Sequence, residues 1–524
     1  VTDTPTARVT WTRADDVLLA GLAAVPFVVL LLTLLARDYG YFIDEFYYIA
    51  CAKRLAFGYV DHPPLAPWLL AADRAVFGDS LLAIRWPAYL ALSATVWITC
   101  LLVGRLGGGR FATVLAAVTV GLSPVLLAMS SFYSMNAFEP LLWSAIVLML
   151  VTIVQTGRSQ LWIGVGLLVG LAFMNKHTVV VYLAALAVGM VATRARQILF
   201  TRWMWVGVAL AVVLAAPNVA WQVANGWPSL EFYRNAHLLK NVPATPASSL
   251  LMQVLVMNPA AAPVWLTGLV FLLAHREARP LRFLGVTFVV LLALHVVSQT
   301  SRPDRTAAAY PALLAAGAVA IERGLRQVAT RHSVAVRAAG AALPLSVVAS
   351  ALAVLPSVIP FLPPATTAAY ARALGATVQA ERGKTSPLPQ LIADRTGWES
   401  FVDDVERVYR SLPPEDQARV VFYAPSYGQA GALELFGPAR GLPDRVIGSQ
   451  NTYWHWSVGR TNTEVLIAVD PDPQVLRQLF AEVWEAGRSR CHYCMSWRDD
   501  NPIYVARRSI TPVDAVWPRA RYYE

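Results

Sequence analysis

Long apolar runs separated by short polar breaks recur from residue 16 to residue 362, and beyond that point the rhythm changes. The runs lie near 16–36, 81–104, 111–129, 137–155, 161–175, 177–193, 203–221, 250–274, 281–299, 306–321 and 338–362. At about 1.5 Å of rise per residue against about 30 Å of hydrocarbon, they predict about eleven membrane-crossing helices. The first is too long for the apolar core of a signal peptide and carries no small-residue cleavage site, so it reads as a retained span.

After about residue 363 the periods become those of a folded aqueous domain. An amphipathic helix near 398–411 is followed by a Pro-Pro turn, an apolar strand at 419–424 and a Gly-bounded helix at 427–436. "TEVLIAVD" and "PIYVARR" read as strands, and "PQVLRQLFAEVWEAG" as a further helix. The fold class expected is mainly α: a polytopic transmembrane helix bundle over 1–362, including an external loop at 37–80, with a C-terminal extracytoplasmic α/β domain over 363–524. No repeat of fixed period and no low-complexity tract interrupts this plan.

Positive charge gathers in alternate loops: Arg8 and Arg13; Arg105 and Arg110; Arg158; Arg194, Arg196 and Arg202; Arg276, Arg279 and Arg282; Arg323, Arg326, Arg331 and Arg337. By the positive-inside rule these loops are cytoplasmic. The loops at 37–80, 222–249 and 300–305 and everything from about 363 then face outward. A single long helix through "LAFMNKHTVVVY" would invert all that follows, and the loop charges argue against it.

Composition agrees: 56% hydrophobic residues, 15% charged and a mean hydropathy of +0.48 leave too much apolar surface for a soluble core. The net charge of +10 reflects orientation rather than nucleic acid, for which no reading motif is present. Of four cysteines, two form "CHYC". One such pair is a weak zinc signal, and in an oxidising compartment a Cys491–Cys494 disulfide is expected.

Candidate chemistry lies where the outward-facing ends meet. "YFIDEFYY" places Asp44 beside Glu45 just after the first span, and "DHPPLAP" returns with Asp61 and His62, whose direction Pro63 and Pro64 fix. Asp44 has a plain alternative as the cap of a short amphipathic interfacial helix. Asn136 and Glu139 stand one turn apart at the outer start of a span, and Asn175, Lys176 and His177 at the junction of two others. The plain reading of Lys176 is a lysine snorkelling to a headgroup phosphate. Arg302 and Arg305 flank Asp304 at the mouth of the tenth span, as an anion site or as an Arg305–Asp304 surface pair. Trp221, Glu231 and their neighbours lie in "PNVAWQVANGWPSLEFYRNAHLLKNVPATP", where aromatic rings anchor the interface or stack on sugars. Carboxylates at one place and cations at another on the same face suit group transfer from a lipid phosphate. With no Walker loop or dinucleotide fingerprint, a sugar donor has to be lipid-linked.

At these residues the chain resembles the GT-C membrane glycosyltransferases, specifically the glycosyltransferase family 39 group of protein O-mannosyltransferases and lipid A aminoarabinose transferases. "IDEFYY" looks like that group's acidic first-loop motif, and "DHPPLAP" is similar to its His-Pro-Pro-Leu segment. "MNAFEPLLW", "MNKHT", "APNVAWQVANGWPSLEFYRNA", "GWESFVDDVERVYRSLPPE", "YGQAGALELFG" and "NTYWHW" extend the likeness over nearly the whole length. The resemblance implies a cavity at the outer leaflet for a polyprenyl-phosphate sugar, an acceptor glycan, lipid or protein, and a single displacement with inversion. It implies catalysis by Asp44 with Glu45, donor phosphate at Lys176, His177, Arg302 and Arg305, and substrate contacts from Tyr48, Asp61, His62, Asn136, Glu139, Trp221 and Glu231. No cofactor follows with certainty; some such enzymes use a divalent cation, Mg or Mn, which Asp44 and Glu45 could hold, although carboxylates alone do not decide it. Two departures stand out: Arg302 replaces the group's lysine, with loss of two following tyrosines, and Glu139 stands where Asp is usual.

Two other classes compete with this reading. A secondary transporter or lipid flippase calls for inverted halves and charges near the midplane, and neither is visible here. A membrane-anchored binding module does not need about eleven spans.

Overall fold

The computed structural model describes residues 13–36, 38–300, 302–329, 333–375 and 381–524. Arg8 and Arg331, and the side chains of Arg13 and Arg337, lie outside the described residues. Every apolar run read from the sequence contains helix, but two of the runs are broken. Arg110–Gly121 and Pro124–Ser130 meet at 57°, and Pro246–Val256 and Pro259–Ala274 at 94°. Both breaks precede a proline, whose ring disfavours helical backbone in the residue before it, and at the second Asn258 takes φ 87°. Among the described residues six helices are long and apolar enough to cross a membrane, or eight if each bent pair counts as one. The junction at Lys176 is a true break between Trp162–Asn175 and Val179–Val191.

The chain divides into two compact units. The first comprises Val1–Leu35, Leu82–Ala220 and Pro243–Phe361, and the second Ala36–Leu81, Trp221–Val242 and Leu362–Glu524. The sequence reading kept the 37–80 loop with the bundle; by contacts it groups with the C-terminal residues, because its apolar side is buried among them. Within the helical unit, Gly268 and Gly317 let two helices touch backbone to backbone. A Cβ on Gly317 would stand 1.8 Å from the Val264 carbonyl oxygen, and one on Gly268 2.0 Å from that of Leu313.

The second unit is built on a five-stranded sheet of order β2-β1-β3-β5-β4. The strands are β1 (Val420–Ala424), β2 (Val446–Gly448), β3 (Val465–Val469), β4 (Phe480–Ser489) and β5 (Asn501–Ser509). β2, β1 and β3 run parallel, while β5 and β4 are antiparallel additions. The helix expected over "PQVLRQLFAEVWEAG" stops at Leu479, and Phe480 onward forms β4. Pairing with β5 overrides the helix-forming Ala and Glu residues, at the cost of a register shift between Glu485 and Gly487. One face of the sheet is sealed by Val421, Ile447, Leu466, Ala506 and Trp517.

Candidate active site

In the second unit, the helix Ile43–Lys53 carries the first acidic pair. Phe42 is extended and Glu45 occupies the third helical position, where its Oε2 accepts the Phe42 N–H at 2.7 Å. Ile43 N–H donates to the Asp394 carbonyl at 3.1 Å. Glu45 is fully buried, and its carboxylate holds the start of the helix. Neighbours one residue apart on a helix point about 100° from each other, which leaves Asp44 free to face elsewhere.

Asp44 is half-buried, and its Oδ1 accepts the Tyr427 hydroxyl at 2.8 Å. Two glycines make that contact reachable. A Cβ on Gly428 would lie 2.5 Å from Ile43, and one on Gly431 2.7 Å from Phe46, so the helix Tyr427–Phe436 can press against Ile43–Lys53 only with glycine at both places. Tyr427 follows the carboxyl end of β1, the end of a parallel sheet at which open α/β folds present functional groups. Thr452, after β2, accepts the Tyr47 hydroxyl at 2.6 Å and the Val60 N–H at 3.0 Å, which sets Asp61 beside the same helix.

Burial raises the Asp44 carboxyl above the usual aspartate range. The Tyr427 hydroxyl and the Lys240 ammonium act against the rise, whereas Asp61 and Glu381 add to it. Lys240 is itself paired with Glu381 at 3.3 Å. Asp61 Oδ1 is buried without a hydrogen-bond partner, 4.0 Å from His62 Nε2. The result is an acidic patch of Asp44, Asp61 and Glu381 with one lysine.

Several of the residues expected to touch substrate also have partners within the protein. His62 is 1% exposed, stacks on Tyr48 at 4.7 Å between ring centroids and has Nδ1 2.9 Å from the Pro63 carbonyl. Tyr48 is likewise buried, because the aromatic face of the helix turns inward instead of lying at a lipid interface. Trp221 is half-buried, and Glu231 pairs with Arg521 at 3.0 Å. Arg54 and Glu434 form a two-pronged pair at 2.7 and 2.9 Å that sequence reasoning did not single out.

Tyr427→Phe removes a hydrogen bond that favours ionised Asp44. The carboxyl pKa rises further, so the acid limb of kcat/KM against pH moves to higher pH while the alkaline limb stays. A pH–rate profile of the two proteins checks this; an acid limb that stays in place would take Asp44 out of the titrating role.

In the helical unit, Glu139 lies near the start of Met135–Thr156, 2% exposed. Lys176, extended at φ −158° between its two helices, places Nζ 2.7 Å from Glu139 Oε2, and the Thr178 hydroxyl donates to Oε1. Its charge is therefore balanced inside the protein and not by a snorkelling contact. Asn175 Nδ2 donates to the Met135 carbonyl at 2.9 Å, next to Asn136, and His177 Nε2 meets Asn218 Oδ1 at 2.9 Å. Asp304 pairs with Arg302, at 3.0 and 3.1 Å, rather than with Arg305. Burial works to raise the Asp304 carboxyl, but Arg302, Lys176 and Arg305 outweigh it and hold it well below the carboxylate range. Lys176, Arg302 and Arg305 thus share one cluster with the carboxylates of Glu139 and Asp304.

The two acids to which a divalent cation was assigned turn in different directions. Glu45 is turned into its capping bond, and among the described residues no three His, Cys, Asp or Glu side chains converge on one point. Cys491 and Cys494 are thiols in the structure, so the expected disulfide is not formed there. Cys494 Sγ donates to the Cys491 carbonyl at 3.1 Å, and the neighbouring thiol pulls Cys491 down to about 7.

Residues 61–221 match the family described as dolichyl-phosphate-mannose-protein mannosyltransferase. The lipid A galacturonosyltransferase RgtD of Rhizobium johnstonii is 27% identical over 184 residues, 35% of this chain and 38% of that protein, so the match spans well under half of that relative. ArnT from Cupriavidus metallidurans bound to undecaprenyl phosphate superposes with a TM-score of 0.59 at 17% identity, over 94% of this chain and 98% of that one. Arabinofuranosyltransferase AftD from Mycobacteria gives 0.54 at 14% identity, over 96% of this chain and 40% of that one. At such identities the solved structures speak for the fold, and the named relatives are glycosyltransferases. The chain is a multi-pass membrane protein with the fold of ArnT.

Proposed function

We propose that this protein is an integral-membrane glycosyltransferase that moves a sugar from a polyprenyl-phosphate donor to an envelope lipid, polysaccharide or protein at the outer membrane face. The observation that carries this reading is Asp44: a half-buried carboxylate raised in pKa, held by Tyr427 at the carboxyl end of a parallel sheet. An ordinary aspartate near pKa 4 is a feeble base for a sugar hydroxyl, and a raised one is better matched to the task. In the reaction proposed, the acceptor hydroxyl attacks the anomeric carbon, its proton passes to Asp44, and the bond from that carbon to the phosphate oxygen breaks with inversion. The leaving polyprenyl phosphate takes the electron pair of that bond and gains one negative charge. Undecaprenyl phosphate bound in the similarly folded ArnT supports a donor of this class. The loops carrying Asp44 and the C-terminal residues are assigned to the extracytoplasmic side on the positive-inside argument.

The test is direct. Purified protein in lipid nanodiscs, given radiolabelled polyprenyl-phosphate sugar and delipidated or deglycosylated envelope acceptors, is expected to release polyprenyl phosphate and label an acceptor. Movement of intact labelled lipid across the bilayer, with no bond broken, would favour a transporter instead.

A further inference from the structure

The opposite end of the sheet, away from Asp44, holds a different kind of site. Arg419 immediately precedes β1, Arg445 precedes β2, Glu464 precedes β3, and Ser509 closes β5, which runs antiparallel to β3. The topology thus collects residues distant in sequence at the amino ends of three parallel strands. Together they line a cleft of about 650 Å³ whose floor is the buried pair Val421 and Ile447. That volume is in the range of small-ligand sites. About 13 Å of strand, at about 3.3 Å per residue, separates this end of β1 from the end that leads to Tyr427.

The cleft is cationic and its donors are only partly used. Arg419 is engaged by Glu464 and by the Glu415 carbonyl at 3.2 Å. Arg445 spends one N–H on the Ala418 carbonyl at 2.7 Å. The Arg460 side chain makes no ion pair and no hydrogen bond among the described residues, and Asp416, 3.9 Å from Arg419, is also held by Arg507 at 2.6 Å. Among the residues lining the cleft, three guanidinium groups outnumber the single carboxylate of Glu464 over an apolar floor, with Asn462, Thr463 and Ser509 supplying hydroxyl and amide groups around them. A planar fork of donors suits a phosphate or carboxylate, and neutral polar groups beside it suit sugar hydroxyls.

We infer that this cleft binds an anionic sugar residue of the acceptor, its phosphate or carboxylate held by Arg445 and Arg460. The inference rests on the glycosyltransferase reading, and it makes the acceptor an extended molecule, anchored at one end of the sheet while another part reaches Asp44.

The test is equilibrium binding on the full chain in detergent, with three fluorescently labelled probes: trigalacturonate, mannose 6-phosphate and neutral maltotriose. One or both anionic probes bind and maltotriose does not; which of the two binds distinguishes carboxylate from phosphate. Arg445→Glu with Arg460→Glu weakens the bound probe by at least about tenfold, the scale of a lost charge-assisted contact. Glu464→Gln releases Arg419 and tightens binding several-fold. Arg460→Gln serves as the variant least able to disturb folding, since its side chain holds nothing in place. Unchanged affinity in the double variant, or maltotriose binding as tightly as the acids, overturns the inference. Binding is read without turnover, so the two proposals fail separately: arginine-dependent binding without sugar transfer sinks the function proposed above, and transfer without such binding sinks only this one.

Discussion

Asp44→Asn lowers turnover by about 10²- to 10⁴-fold, the range of a lost general base, while the protein keeps its fold and its affinity for donor. The asparagine preserves the shape beside Tyr427 and can still accept the phenol proton through its amide oxygen, so the contact at 2.8 Å survives in outline. What disappears is the ability to take a proton. Turnover with a saturating lipid-linked sugar and donor binding by quenching, measured on the same preparation, separate the two effects. Equal turnover in parent and variant would end the assignment of Asp44 as base, and loss of both turnover and donor affinity would make it a binding residue.

The second large effect concerns Lys176 and Glu139. Removing one partner of a buried ion pair leaves the other charge unbalanced, so Lys176→Ala costs about 3–5 kcal/mol of stability. Replacing both by apolar residues of similar volume, Lys176→Met with Glu139→Leu, returns stability to near the parent, because two charges no longer need desolvating. If Lys176 also serves the donor, the double variant folds like the parent but binds polyprenyl phosphate at least about tenfold more weakly. Denaturation midpoints in micelles and a lipid-phosphate titration give the two numbers. A stable double variant with parental donor affinity assigns the pair to scaffolding alone.

How far the sequence reaches can be judged from these same residues. Hydrophobic patterning located the helical stretches and most of the C-terminal elements, because apolar runs and turn residues are local signals. It failed at "AEVWEAGRS", where pairing with a distant strand outweighs local preference, and at β2, which is three residues long. Motif resemblance marked Asp44, Glu139, Lys176 and Arg302, and the structure joins Lys176 to Glu139 and Arg302 to Asp304. Adjacent placement suggested that Asp44 and Glu45 act together, whereas helical geometry sends one outward and the other into a cap. Tyr427, Thr452, Lys240 and Glu381 were not assigned at all. "YGQAGALELFG" and "NTYWHW" were visible as motifs, but that a tyrosine there meets Asp44 is a tertiary fact. The glycines at 428 and 431 were the one local hint of a close approach.

The distance along the chain between Asp44 and Tyr427 has a consequence for biosynthesis. The aspartate leaves the ribosome 383 residues ahead of its phenol. At roughly 5 to 20 residues per second that is a delay of about 20 to 80 s. During that interval the helix bearing Asp44 has neither its glycine-lined neighbour nor its hydrogen-bond donor. A chain that stops before Tyr427 therefore lacks both the phenol and the glycine-lined helix that hold Asp44 in place.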